Sequence, residues 1–272
     1  MKILRVGCMF VGFLSLVLSL SAQTFTTLHS FDYTDGAFPV APLVQATNAG
    51  LYGTTEFGAN GCGEYSSGCG TVFKITPHGT LTTLYSFVFQ DGAYPYAGLV
   101  QATNGSFYGT TSSGGANGAG TVFKITTKGM LTTLYTFCSQ SSCTDGENPY
   151  AGLVEATNGN FYGTTEYGGA KEGCGNYFDH RPCGTVFSLS VGLGPFVETQ
   201  PTFGKVGTAV KILGTDLTGA TSITFNGTAA KFNVVSKSEI TTTVPEGATT
   251  GKVKVTTPEG TLKSNVVFRV AK

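Results

Sequence analysis

The chain has 272 residues, 12% of which are charged, and its 16 Lys and Arg residues balance its 16 Asp and Glu residues. This balance excludes a basic nucleic-acid-binding protein, an acidic tail protein and a long charged coil. Glycine, with 39 residues, is about twice as frequent as usual, while the hydrophobic fraction of 40% is ordinary, so we expect an ordered chain with many tight turns.

The chain begins with a pattern typical of a secretory signal peptide, over residues 1–22. Lys2 and Arg5 precede an apolar run from Val6 to Leu20, and small residues suited to cleavage follow. The run is shorter than a membrane-spanning helix, and no second apolar span follows it. We therefore expect an extracellular or surface-displayed protein without a membrane span after cleavage, in a compartment that allows disulfides.

Three copies of one pattern occupy residues 23–190. The motif Leu-Val-x-Ala-Thr-Asn begins at Leu43, Leu99 and Leu153, and each copy continues with Tyr-Gly-Thr-Thr and Gly-Thr-Val-Phe. Such repetition is the signature of a repeat architecture. The copies span about residues 41–87, 97–137 and 151–190.

Each copy is predicted to be a four-stranded antiparallel meander. In the middle copy, alternating apolar and polar residues and two short-turn signals predict strands at 99–103, 107–111, 121–126 and 130–137. The third copy lacks a fourth strand. Residues 24–31 (TFTTLHSF) resemble residues 80–87 (TLTTLYSF), so we expect them to complete the third copy.

This completion would close twelve strands into a threefold, all-β, propeller-like array without open edges. Propellers have four to eight such units, so three arrangements stay open. They are a small ring of three units, a homodimer that completes a six-bladed ring, and a β-trefoil-like arrangement.

Six cysteines remain after the signal peptide, and they form three close pairs: Cys62/Cys69, Cys138/Cys143 and Cys174/Cys183. Every pair lies where its copy carries extra loop residues. We expect local disulfides that staple surface loops, each with a modest effect on stability. The spacings do not suit a zinc site, and we expect no metal and no other cofactor.

Residues 195–272 are predicted to form a second domain. From residue 191 onwards the chain has 9 basic and 5 acidic residues and no cysteine. Six short alternating strands are predicted at 209–213, 222–226, 231–236, 239–244, 252–256 and 265–270. This density of strands is typical of a β-sandwich.

Two family resemblances follow from these motifs. Residues 204–208, 214–217 and 224–230 (GKVGT, GTDL and TFNGTAA) resemble an IPT/TIG domain, which implies an immunoglobulin-like fold. The repeat motifs resemble the GloVer tandem-repeat proteins of bacterial cell exteriors, which implies a location rather than a reaction. Some IPT/TIG proteins bind DNA, but export and low basic charge argue against a nucleic-acid partner here.

The candidate ligand-binding residues fall into two groups, and we expect no catalytic residue among them. The insertion in the third copy gathers four side chains suited to ligand contact, namely Tyr177, Asp179, His180 and Arg181. The second group consists of the tyrosines of the Tyr-Gly-Thr-Thr motif, Tyr52, Tyr108 and Tyr162. These three either line an axial opening or pack between the repeats.

Each copy is also preceded by an Asp-Gly pair, at Asp35, Asp91 and Asp145, for which we expect a role in turns. One carboxylate per repeat is too few for a calcium site. His29 occupies the position that Tyr85 and Tyr135 hold in the other fourth strands, so we expect it to be an aromatic-equivalent packing residue or a residue at the rim.

The leading functional hypothesis is a non-enzymatic binding protein whose ligand is a glycan or another surface polymer. A low-charge surface rich in Tyr and Gly offers stacking and neutral hydrogen bonds rather than ion pairs. One alternative is a polysaccharide-active enzyme that uses acidic loop residues such as Glu56, Glu166 and Asp179. The other is a purely structural surface protein.

Overall fold

The computed structural model describes residues 23–59, 62, 67–171 and 182–272. Within these ranges the chain is all-β, with 21 strands and a single 3-10 turn at Ser141–Cys143. The described residues include no helix that could cross a membrane. The predicted signal peptide lies outside them.

The first two repeats each form a four-stranded antiparallel sheet with the strands in chain order, which confirms the predicted meander. The first sheet contains β1 (Val44–Gln45), β2 (Leu51–Thr55), β3 (Thr71–Ile75) and β4 (Leu81–Ser86). The second contains β5 (Val100–Gln101), β6 (Phe107–Thr111), β7 (Thr121–Ile125) and β8 (Leu131–Thr136). Both sheets carry the same register shift between the third and fourth strands.

The third repeat has three described strands: β9 (Val154–Glu155), β10 (Asn160–Thr165) and β11 (Thr185–Ser190). Among the described residues, β11 pairs only with β10. Residues 24–31 form no strand, so the predicted pairing with the third repeat is not observed. The closed threefold arrangement is therefore not observed among the described residues.

Two aromatic contacts recur at each junction between repeats. The motif tyrosine packs its ring on a phenylalanine of the next repeat, with centroids 4.2 Å apart, in the pairs Tyr52–Phe107 and Tyr108–Phe161. Two phenylalanines meet edge to face at 5.1 Å in the pairs Phe87–Phe123 and Phe137–Phe187. Because two of the hydrophobic clusters combine residues from successive repeats, much of the core lies between the sheets.

Hydrogen bonds also link the loop after the first short strand of each repeat to the unit that follows. A threonine N–H donates to a side chain of the next repeat in the pairs Thr47–Gln101 (2.9 Å) and Thr103–Glu155 (3.1 Å). In the third repeat, the Thr157 carbonyl accepts from Phe196 N–H (2.9 Å) and its hydroxyl bonds Thr215 (2.8 Å). The C-terminal domain thus meets the third repeat through the loop that otherwise contacts a following repeat.

The C-terminal domain contains two four-stranded antiparallel sheets and one parallel strand pair. One sheet is formed by β12 (Glu198–Gln200), β14 (Ala209–Leu213), β18 (Glu239–Thr243) and β17 (Phe232–Ser236). The other is formed by β16 (Thr228–Ala229), β15 (Ser222–Phe225), β19 (Val253–Thr257) and β20 (Gly260–Lys263). The parallel pair is β13 (Phe203–Gly204) with β21 (Arg269–Val270).

Buried side chains from both four-stranded sheets share one core, which makes this domain a sandwich. Ile212 and Ile240 come from one sheet, and Phe225 and Val255 come from the other. Five predicted strands match closely, whereas the strand predicted at 265–270 shortens to two residues. The short strands β12, β13, β16 and β20 were not predicted, because they pair over only two to four residues.

Two of the predicted disulfides, Cys62–Cys69 and Cys138–Cys143, are present. Cys183 is also disulfide-bonded, and Cys174 lies outside the described residues. The prediction of a surface staple is wrong for Cys62–Cys69. Both of its cysteines are fully buried, because they pack into the same hydrophobic cluster as Tyr52 and Phe87.

We expect a mild reductant to open Cys138–Cys143 well before Cys62–Cys69. Exchange requires a thiolate to reach a disulfide sulfur, and Cys138 and Cys143 are only half-buried. A time course of alkylation mapped by mass spectrometry checks the order, and a denatured sample in which both bonds open together is the control. Equal rates in the folded protein would contradict the burial of the first pair.

Candidate functional site

The three motif tyrosines differ in burial. Tyr52 and Tyr108 are buried beneath the next repeat, so they belong to the core and cannot contact a ligand. This corrects their assignment as ligand-binding residues and supports the alternative that they pack between repeats. Tyr162 is exposed, and its hydroxyl accepts a hydrogen bond from Asn158 Nδ2 at 2.9 Å.

The polar group predicted in the third insertion lies outside the described residues. It consists of Tyr177, Asp179, His180 and Arg181. Its role in ligand binding stays a prediction.

The repeated aspartates form turn-stabilising hydrogen bonds, which confirms their predicted role. Each is bonded to the aromatic residue of the preceding fourth strand or its equivalent, in the pairs Asp35–His29 (2.6 Å), Asp91–Tyr85 and Asp145–Tyr135 (2.7 Å). Backbone N–H groups of Val88 and Ser139 also donate to Asp91 and Asp145, respectively. These carboxylates therefore serve the turns.

The surroundings of Asp91 and Asp145 shift the pKa values of these two carboxylates in opposite directions. Burial raises the pKa of Asp91, and burial together with the neighbouring carboxylate raises the pKa of Tyr85 to about 12. At Asp145 burial acts in the same direction, but hydrogen bonds from Tyr135, Ser139 and Gln140 outweigh it and lower the pKa. The described residues contain no group of three or more His, Cys, Asp or Glu that could hold a metal.

A different cluster, which we call the Tyr–Glu site, consists of Glu56, Tyr96, Tyr150 and Glu166. The tyrosines occupy the same position in the second and third repeats, and their ring centroids lie 5.0 Å apart. The glutamates directly follow β2 and β10, at equivalent positions of the first and third repeats. Tyr96 donates a hydrogen bond to Glu56, which ties the second repeat to the first.

Stacking of the repeats brings these distant residues together. The Thr54 hydroxyl donates to the Ala97 carbonyl at 3.0 Å, directly beside Tyr96. The Thr110 hydroxyl donates to the Ala151 carbonyl at 3.1 Å, beside Tyr150. Each threonine belongs to a Tyr-Gly-Thr-Thr motif, so the motif positions the tyrosine of the following repeat.

Both carboxylates act electrostatically on Tyr150. Burial raises the pKa of Tyr150, and the charges of Glu166 and Glu56 raise it further. Burial and the hydrogen bond to Glu56 likewise raise the pKa of Tyr96. Glu56 is nearly buried, whereas Glu166 and Tyr150 are exposed beside a cavity of about 550 Å³ that they line with Ala151, Thr164 and Thr165.

The Tyr–Glu site offers an exposed tyrosine ring, Tyr150, next to one exposed carboxylate acceptor, Glu166, at a cavity that is open to solvent. Glu56 and Glu166 were predicted only as candidates for an enzymatic alternative, and the third candidate, Asp179, lies outside the described residues. The tyrosines of this site were missed. An alignment of the repeats could have identified Tyr96 and Tyr150, because it places both at one position, between a proline and an alanine.

A sequence model of the Gloeobacter/Verrucomicrobia repeat matches residues 16–178 and, in a second overlapping match, residues 60–255. The chain belongs to this family. The GloVer resemblance is thereby confirmed, while the IPT/TIG resemblance of the C-terminal domain is not. No curated protein matches this member of the Gloeobacter/Verrucomicrobia repeat family.

Several solved structures are distantly similar to this Gloeobacter/Verrucomicrobia repeat protein. A copper-bound fungal alcohol oxidase is 12% identical with a TM-score of 0.35, covering 82% of this chain and 52% of its own. A protein described as a gluconolactonase is 14% identical with a TM-score of 0.30, covering 74% and 57%. A fragment described as domains CD is 23% identical with a TM-score of 0.26, covering 28% and 32%. Structural similarity at this level gives no information about activity.

Proposed function

We propose that this protein is an exported, non-enzymatic binding protein whose ligand is a glycan or another neutral surface polymer. The observation that carries the proposal is the exposed Tyr150 ring, 5.0 Å from Tyr96 and beside a cavity lined by Glu166. The face of an aromatic ring packs against the apolar face of a sugar, and carboxylates accept hydrogen bonds from hydroxyl groups. Such a site binds without requiring a charged ligand.

The disulfides and the repeat family support the exported location. Disulfides persist in oxidising compartments, and the described part of the chain contains two that are fully defined. We further propose that the predicted signal peptide over residues 1–22 directs export and that the C-terminal sandwich is an IPT/TIG-like spacer. A second copy of the chain is a separate proposed partner, which uses other surfaces.

A glycan array followed by calorimetry on the strongest hit tests the binding site. We expect Tyr150→Ala and Glu166→Gln each to weaken binding by at least about tenfold, because they remove the stacking face and an acceptor. Phe203→Ala, which removes an exposed aromatic ring from the C-terminal domain, is the matched control and should leave affinity unchanged. An array without signal would overturn the proposal.

Tyr177→Ala and Asp179→Ala test whether the third insertion takes part in the same binding. A loss comparable to that of Tyr150→Ala would extend the site to the insertion. Unchanged affinity in both variants would remove the insertion from the site while leaving the Tyr–Glu site in place.

A polysaccharide-active enzyme is the second candidate, because Glu56 and Glu166 both act on one tyrosine. Glycoside hydrolysis uses two carboxyl groups that flank the scissile bond. Release of reducing ends from the bound polysaccharide, abolished by Glu166→Gln, would replace the binding proposal with this one. If the protein neither binds a polysaccharide nor releases reducing ends from one, a purely structural surface protein is favoured.

A further inference from the structure

The third repeat exposes side chains whose equivalents the first two repeats bury. Val186 is 81% exposed, whereas Val72 and Val122 at the same motif position are 0% and 1% exposed. Tyr162 is also exposed, since no following repeat covers its ring. Within the described ranges, β11 has no partner on the side where β3 pairs with β4.

The start of the array exposes the complementary surface. Leu43 is 48% exposed, whereas its equivalents Leu99 and Leu153 are 8% and 7% exposed. Leu99 and Leu153 are buried because each joins a cluster with residues of the preceding repeat. The two ends of the array therefore expose the two surfaces that meet at every internal junction.

Residues 24–31 lie against the first repeat as a fourth strand lies against the repeat that follows it. Phe31 meets Phe73 edge to face at 5.2 Å, and the Leu28 carbonyl lies against Gly79. The equivalent pairs at the next junction are Phe87–Phe123, edge to face at 5.1 Å, and Leu84–Gly129. The segment already has the position of a fourth strand but has no strand partner in the described structure, and Phe25 is 93% exposed.

A groove of about 360 Å³ lies along β11 and is also lined by Tyr135, Phe137 and Asp145. In the second repeat, β8 lies beside β7, and its Thr133 hydroxyl donates to the Asp91 carbonyl at 3.3 Å. Asp145 is the third-repeat equivalent of Asp91, and Thr27 is the equivalent of Thr133. The groove therefore offers a fourth strand with the sequence of residues 24–31 the unpaired edge of β11 and, in the Asp145 carbonyl, the hydrogen-bond acceptor for Thr27.

We propose that residues 24–31 of one copy pair with β11 of a second copy, and that two such exchanges close a head-to-tail dimer of six repeats. An added strand would pair with the backbone N–H and C=O groups along the unpaired edge of β11. If this strand takes the register of β4 on β3, Ser188 lies opposite Thr26. A head-to-tail contact closes into a ring when the rotation allows it, and six units lie within the range of known propellers. The new junction would repeat the aromatic and apolar contacts made at the internal junctions, while the Thr157 loop keeps its hydrogen bonds to the C-terminal domain.

Light scattering after size-exclusion chromatography of the exported chain is the first test. We expect twice the monomer mass, and we expect Val186→Glu to weaken dimerisation by at least about 100-fold because it buries a charge at the junction. Val235→Glu, in an exposed part of β17, is the matched control and should remain dimeric. A monomeric unaltered chain, or a dimer that Val186→Glu does not affect, would overturn the proposal.

Engineered crosslinking tests the strand exchange itself. Thr26→Cys combined with Ser188→Cys should yield a disulfide-linked dimer on a non-reducing gel, which neither single variant forms. A link within one chain would show that the segment closes its own array and would overturn the exchange. Absence of any link in a protein of dimer mass would overturn it as well.

Discussion

Phe123→Ala is expected to lower the free energy of unfolding by about 3–5 kcal/mol, because it opens a cavity at a junction between repeats. Phe123 is fully buried and meets Phe87 of the preceding repeat edge to face at 5.1 Å. The substitution therefore removes contacts from two repeats at once. Urea denaturation followed by circular dichroism gives the change.

The matched control is Phe203→Ala, since Phe203 is exposed in the C-terminal domain. We expect it to change stability by less than about 0.5 kcal/mol. Similar losses of unfolding free energy for the two variants would mean that the phenylalanines between the repeats do not form a stabilising core.

Gly120→Ala is expected to destabilise the protein far more than Gly105→Ala, although both glycines have positive φ, +96° and +80°. A Cβ at Gly120 would lie 2.4 Å from the Thr111 carbonyl oxygen and 2.7 Å from Pro149 Cδ. A Cβ at Gly105 would meet no atom within 4 Å. Gly105→Ala should therefore cost only the conformational strain, about 1–2 kcal/mol.

Gly120→Ala adds a clash with the Thr111 backbone of the same sheet and with the Pro149 ring, which leads into the third repeat, and we expect a loss of at least about 3 kcal/mol. Thermal and urea denaturation of the two variants side by side give the comparison. Equal losses would show that the junction tolerates a larger spacing. The glycine excess of the chain thus serves close packing between repeats as well as tight turns.

The strands could be predicted from the sequence where pairing is local. Phe107–Thr111 and Ala209–Leu213 match their predictions residue for residue, because alternation and flanking turns are encoded within the strand itself. Whether each motif tyrosine is buried or exposed could not be predicted in this way. Tyr108 and Tyr162 share one motif, and only the presence of a following repeat makes the first buried and the second exposed.

The closing strand and the Tyr–Glu site depend on long-range geometry. Residues 24–31 have the sequence of a fourth strand, but pairing with β11 depends on how far each repeat turns relative to the last. Tyr96 and Glu56 are 40 residues apart and meet only because successive repeats stack. No local pattern specifies either arrangement.

The links between Ala-Thr-Asn loops and following units have a consequence for how such chains change in length. Every internal loop is bound by the same position of the next repeat, at Gln101 and at Glu155, whereas Thr157 is bound by the C-terminal domain. A gene duplication that inserted one more whole repeat after the first would therefore supply both halves of each new contact. An array like this one can grow by complete repeats while the C-terminal domain keeps its place after the last of them.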